Sequence, residues 1–182
     1  MNLRDSADRY SVLSIRLHWL MVVLIAAVYG CIELRELFEK GSDPRETLKA
    51  LHFMLGLTVL ILVAVRIYAR LTGPTPPIVP EPPKWQMLLA KAAHLALYLL
   101  MIGMPIAGWV LLSAAGKPIP FYGLELPALI APDKGLADTL KELHKTVGEA
   151  GYYVIGLHAV AALFHHYISR DDTLRRMLPT RR

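Results

Sequence analysis

Seven histidines stand in this 182-residue chain, and none lies in either of its two long loops. The stretch GYYVIGLHAVAALFHHY, Gly151 to Tyr167, carries no Asp, Glu, Lys or Arg, yet it holds His158, His165 and His166. His18, His52, His94 and His144 stand near the starts of apolar runs. An imidazole inside such a run is costly unless it is satisfied, so it points to function. His158 follows His144 by fourteen residues. In a helix that is about 21 Å along the axis and about 40° short of four turns, so both rings share one face. One helix thus offers one ligand to each of two stacked sites. His52 can complete the outer site, and His18 or His94 the inner one.

Paired imidazoles narrow the chemistry. Zinc usually takes four ligands, with cysteine or carboxylate among them, and no such set stands at these depths. Copper is not favoured by the partner set. A heme iron takes two axial ligands, and neutral imidazole suits it. The porphyrin needs flat room beside each ligand. Gly56 stands four residues after His52, Gly148 four after His144, and Ala162 four after His158, one turn along the same helix face. Two bis-histidine hemes fit this pattern. A lone histidine bonding a neighbouring helix would explain any single one of these positions better than all four together.

The elements that must hold these residues are membrane helices. Of the residues, 54% are apolar and mean hydropathy is +0.40, more than an ordinary soluble domain carries. Four runs lack charge: Leu17–Ile32, Ala50–Val65, Ala92–Gly116 and Ala150–Ser169. Spanning hydrocarbon takes roughly 20 helical residues, and the two shorter runs extend by letting flanking charges reach the interface. The reading is an all-α integral membrane four-helix bundle, one transmembrane di-heme cytochrome b domain over residues 1–182. Its helices are expected at roughly 14–34, 48–71, 87–115 and 140–168. The N-terminus, the second connection and the C-terminus hold twelve bases against five acids, net +7, and the other two connections eight against ten, net −2. Basic segments stay inside, so both termini are expected in the cytoplasm of a bacterial inner-membrane protein. Gly73–Pro83, GPTPPIVPEPP, has six prolines and reads as a stiff extended strap. Pro105 is expected to kink the third helix, and the outer link Gly116–Asp138 to lie on the membrane surface. Cys31 is the only cysteine, which excludes an intrachain disulfide and a CxxCH heme attachment.

SIRLHWL (Ser14–Leu20), LHFMLGL (Leu51–Leu57), RLTGPTPPIVP (Arg70–Pro80), GYYVIGLHAVAALFHHY and DDTLRRMLP (Asp171–Pro179) together resemble the bacterial cytochrome b561 family, and most closely its superoxide oxidases. That resemblance implies two heme b groups, with His18 selected over His94 as the partner of His158, and His52 paired with His144. It implies oxidation of superoxide at the outer heme and reduction of ubiquinone at the inner end, with His165 at the quinone. The helical phase agrees, since seven residues from His158 fall about 20° short of two turns. His166 points elsewhere and reads as interfacial. Arg35, Lys49, Lys117, Lys141 and Lys145 could supply a positive field for an anionic substrate, with Arg35 and Lys117 the named candidates, although each reads equally as a solvated charge. Arg9 and Arg16 are candidates for heme propionates or plain membrane anchors. The expected partners are superoxide, ubiquinone and lipid, with no nucleic acid. The alternative is an electron-transfer subunit that links a periplasmic dehydrogenase or hydrogenase, a redox partner protein, to the quinone pool. A heme-free membrane protein that binds or transports metal is the remaining reading.

Overall fold

A computed structural model describes residues 9–73 and 76–179. Arg4, Asp5, Asp8, Pro74, Thr75, Arg181 and Arg182, which entered the charge balance, the strap and the motif ends above, lie outside the described residues. Four long helices dominate: α1 Val12–Leu34, α2 Asp43–Thr72, α3 Lys84–Ala114 and α4 Lys134–Phe164. Each is long and apolar enough to cross a membrane. α1 packs along α2, α2 along α3 and α3 along α4.

α2 and α4 start well before the apolar runs suggest, because their first turns are polar. α2 begins at Asp43 rather than near residue 48, with Pro44 in its first turn, where the missing amide costs nothing. α4 begins at Lys134 rather than near residue 140, where the Asp133 side chain accepts from the Leu136 amide at 3.0 Å, meeting one of the unpaired donors of a helix start. α1 is capped likewise by Ser11, whose hydroxyl accepts from the Ser14 amide at 3.1 Å. Pro105 sits inside α3.

The outer link is more ordered than a surface-lying segment. Strands β1 Ile119–Phe121 and β2 Leu124–Leu126 pair antiparallel. Tyr122 and Gly123 make the turn at φ 47° and 86°, the double left-handed geometry that closes a two-residue hairpin. The hairpin is pinned to the helices. The Tyr122 hydroxyl meets Thr58 Oγ1 at 3.0 Å, and Trp109 Nε1 donates to the Pro127 carbonyl at 3.0 Å. Ile119 joins Leu57 and Leu112 in a buried cluster, while Met21, Val59 and Val63 form the other.

At the α1–α2 turn the buried Arg45 donates to the Arg35 and Phe38 carbonyls at 3.0 and 2.8 Å and grips both oxygens of Glu36. Between α1 and α4 the contact is made by tyrosines. Tyr29 donates to the Gly148 carbonyl at 2.8 Å, Tyr152 to Glu33 at 2.6 Å, and the two rings lie 4.4 Å apart. Gly151 lies directly under the Tyr29 hydroxyl, which leaves no room for a Cβ. Outward-facing Leu88, Leu95, Leu99, Tyr153, Leu157 and Val160 are exposed, as a lipid-facing surface requires.

The described ends of the chain meet at one end of the bundle, where Arg9 reaches the Arg175 carbonyl. There α4 widens into a π-turn, His165–Ser169, and a 3-10 turn follows at Arg175–Met177. This C-terminal segment is tied back. Trp19 Nε1 donates to the Met177 carbonyl at 2.7 Å, Arg9 to the Arg175 carbonyl, and Arg176 to the carbonyls of Pro76 and Pro77. The Val79 amide donates to Asp172 at 2.9 Å, and the Asp172 amide returns a bond to the Val79 carbonyl. The proline strap thus finds its polar partners in the C-terminal cap.

Candidate functional site

The histidines meet in two groups. At the hairpin end, His52 of α2 faces His144 of α4 with ring centres 6.3 Å apart. At the terminal end, His18 of α1 faces His158 of α4, also at 6.3 Å. The interplanar angles are 75° and 76°, so neither pair stacks. A metal–imidazole bond is about 2.0–2.1 Å, and a nitrogen lies about 1.1 Å from its ring centre, so two imidazoles across one iron stand about 6.2 Å apart. Both pairs match that separation. His94 of α3 also approaches His158, but at 5.4 Å, too close for one atom to sit between. His94 is exposed, whereas the four paired histidines are half-buried.

A local bond sets the tautomer in the pair at the hairpin end. His52 Nδ1 lies 3.0 Å from the Val28 carbonyl. A carbonyl only accepts, so Nδ1 carries the hydrogen and Nε2 keeps its lone pair. His144 Nδ1 is buried with no hydrogen-bond partner among the described residues. Gly108 of α3 lies against that ring, and a Cβ there would meet His144 Cε1 at 3.4 Å. Beside His52, a Cβ on Gly56 would meet nothing within 4 Å, which is the open space a flat ring needs. Gly148 differs, because a Cβ there would meet the Met104 methyl at 3.5 Å, ordinary contact.

The pair at the terminal end has an arginine, Arg66, that the sequence reading counted only in the charge balance. Arg66 of α2 donates to the Ser14 carbonyl at 3.3 Å and reaches His18 Nδ1 at 3.4 Å. One turn on, Arg70 lies 5.0 Å from the Tyr10 ring, and its Nη1 is buried without a hydrogen-bond partner among the described residues. These two, more than Arg9 or Arg16, point a positive field at the inner histidines. The signal was available, since Arg66 and Arg70 stand i, i+4 on α2.

His165 lies half-buried at the start of the π-turn, and its Nδ1 meets Asp171 Oδ2 at 2.5 Å. Asp171 Oδ1 accepts from the Thr173 amide at 2.9 Å. Burial pushes the Asp171 carboxyl up, but the hydrogen bonds from His165 and Thr173 outweigh it and hold the carboxyl below its usual range. The sequence reading took Asp171 as one acid in a charge balance. His166 is half-buried with its ring against Tyr167, and its Nδ1 is buried without a partner.

The outer cations are mostly engaged. Arg35 pairs with Glu36 at 3.0 Å and Lys49 with Glu46 at 2.6 Å, and Lys145 lies 3.9 Å from Glu149. Lys117 and Lys141 are exposed and form no ion pair among the described residues. Lys117 sits between α3 and β1, at the hairpin end.

A family model for prokaryotic cytochrome b561 matches residues 9–180. The chain belongs to that family. A relative described as the probable superoxide oxidase CybB of Yersinia pestis is 41% identical over 174 residues, 96% of this chain and 98% of that protein. Cytochrome b561 homolog 1 of Escherichia coli K12 is 37% identical over 96% of this chain and 99% of its own. Homolog 2 of the same organism is 30% identical over 98% of this chain and 95% of its own. The protein is therefore a multi-pass inner-membrane, heme b-binding electron-transfer protein. Non-covalent heme agrees with a chain whose one cysteine, Cys31, is free.

Proposed function

We propose that this protein oxidises superoxide to dioxygen at its hairpin end and delivers the electrons to ubiquinone at the end that holds both termini. The terminal end faces the cytoplasm, in keeping with its excess of basic residues. The observation that carries the reading is the repeated 6.3 Å spacing of His52 with His144 and His18 with His158 in one bundle. Each pair would hold one heme b, two per chain. Bound there, heme supplies a one-electron carrier at each end of the membrane. The donor assignment draws on the relative described as a probable superoxide oxidase.

The balance sets what the residues must do. Two superoxide anions give two electrons and two dioxygen molecules. One ubiquinone takes those electrons and two protons to become quinol. The hairpin end needs no acid or base, only access for an anion. Lys117, exposed and unpaired, is the cation best placed to draw it in, while Arg35 is largely neutralised by Glu36. His52 is fixed in orientation by Val28, so its Nε2 faces the site without rotamer search. At the terminal end Arg66 places positive charge beside His18, where a carboxylate-bearing cofactor gains most from it, and Arg70 stands one turn further along α2. His165, beyond His158 on the same helix, is the group that meets the quinone, because quinol formation needs protons where the cytoplasm can supply them.

The test is a pulse of superoxide on the purified detergent-solubilised protein, with a short-chain ubiquinone present. The reading expects heme reduction followed by quinol formation, at two superoxide consumed per quinol. Quinol formation with a co-purifying dehydrogenase, but none with superoxide, would assign the chain to a partner's electron-transfer subunit instead.

A further inference from the structure

We infer that Asp171 is a positioning residue for proton delivery to the quinone, acting through His165. The inference rests on the reading that His165 meets the quinone. Three features of the terminal cap carry it. His165 Nδ1 and Asp171 Oδ2 are 2.5 Å apart, with side chains 15% and 2% exposed, so the carboxylate lies inside and the ring keeps one reachable edge. The loop between them is closed twice over, since the Asp171 amide donates to the His165 carbonyl at 3.1 Å and the Thr173 amide to Asp171 Oδ1 at 2.9 Å. Arg170, at φ 56°, makes the reversal that turns Asp171 back onto the ring. The π-turn that begins at His165 belongs to the same device, because a wider turn there sets the angle at which the chain leaves α4.

The chemistry follows from which atoms are engaged. A carboxylate accepts, so Asp171 holds the hydrogen on Nδ1 and leaves Nε2 as the exchanging atom. The Asp171 carboxylate lies against the Nδ1 edge of the ring and offers it a counter-charge. Each electron that reaches the quinone is matched by one proton. The Nε2–H bond breaks, an O–H bond forms on the quinone oxygen, and the ring becomes neutral while Nδ1–H stays on Asp171. Water at the cytoplasmic face restores the Nε2 proton, and the second electron repeats the step, completing the quinol. The depressed proton affinity of Asp171 agrees, since the carboxylate stays charged through the cycle. Two other charged groups of the cap are committed elsewhere, while Arg170 and Arg175 are exposed. Arg176 holds the Pro76 and Pro77 carbonyls, and Asp172 pairs with Arg176 and the Val79 amide.

The experiment reduces the heme-loaded protein with dithionite, removes the excess, mixes it with a short-chain ubiquinone, and follows heme reoxidation in H2O and D2O. Superoxide plays no part. Asp171→Asn, which keeps the shape and removes the charge, is expected to slow reoxidation about ten- to hundredfold. Its solvent deuterium effect should rise, while heme content and the half-saturating quinone concentration hold. Asp171→Glu should recover part of the rate. His165→Ala separates the two levels of the claim. Unchanged reoxidation in His165→Ala removes the quinone from this site. A slow His165→Ala beside a wild-type-like Asp171→Asn overturns the role of Asp171 and leaves the site standing. If Asp171→Asn loses heme, the wild-type protein decides, because reoxidation with no deuterium effect excludes proton delivery from controlling the rate and overturns the inference. A deuterium effect there, with heme and rate held by Asp171→Glu, supports it.

Discussion

Replacing His18 and His94 one at a time separates the two imidazoles that approach His158. Their ring centres lie 6.3 and 5.4 Å from that of His158, against about 6.2 Å for two ligands of one iron. His94 therefore stands about 0.8 Å too close, and α3 would have to move outward to let an atom in, against a packed interior that resists such shifts. His18→Ala is expected to lower heme content from two to one per chain. His94→Ala loses only an edge-on ring contact, about 0.5–1.5 kcal/mol, which is at most roughly tenfold in heme affinity. At micromolar protein its heme content should remain two per chain. The assay is heme per protein by pyridine hemochrome, with low-temperature electron paramagnetic resonance to count bis-imidazole ferric signals. Loss of one heme in His94→Ala, with both kept in His18→Ala, would refute the spacing argument and give the inner site to His94.

Three further outcomes follow from the packing. Arg45→Met strips charged hydrogen bonds from the Arg35 and Phe38 carbonyls, and at about 1.5 kcal/mol or more each the loss is about 3 kcal/mol. Arg45→Lys recovers only part because it lacks the planar fork, and an unchanged melting temperature in both would sink the account of this turn. Gly151→Ala drives the Tyr29 hydroxyl off the Gly148 carbonyl at a cost of about 1 kcal/mol. Adding Tyr29→Phe should restore stability, since the next ring atom lies at 3.5 Å, ordinary contact, and additive losses in that double-mutant cycle would contradict the clash. Lys117→Glu is expected to slow heme reduction by superoxide about two- to fivefold at low salt, with the difference gone near 0.5 M salt. Arg35→Gln should do less, and the reverse order would move the steering charge to Arg35.

The bundle and its histidines were legible in the sequence because each depends on a short-range rule. Charge-free runs report spans, and the fourteen-residue interval between His144 and His158 reports a shared helix face with little regard to tertiary detail. The helix starts were not legible, since Asp43 and Lys134 open polar turns that hydropathy does not register. The hairpin was missed for a related reason. Its strands are three residues each, too short to show an alternation, and Tyr122–Gly123 is a turn signal only once the flanking residues are known to pair. The residues alone did not separate His18 from His94, because both lie near the same end of the bundle, and only the ring distances to His158 distinguish them. Arg66, Arg70 and Asp171 were visible as charges, but their roles depend on which side chains the folded cap and bundle bring within 3.5 Å of them.

The most direct measurement is a reduced-minus-oxidised visible spectrum of the purified chain, with heme counted per protein and superoxide compared with dithionite as the reductant. Two heme b per chain, both reduced by superoxide and reoxidised by ubiquinone, is the predicted result. One heme per chain, or two that superoxide leaves oxidised while dithionite reduces them, would contradict it.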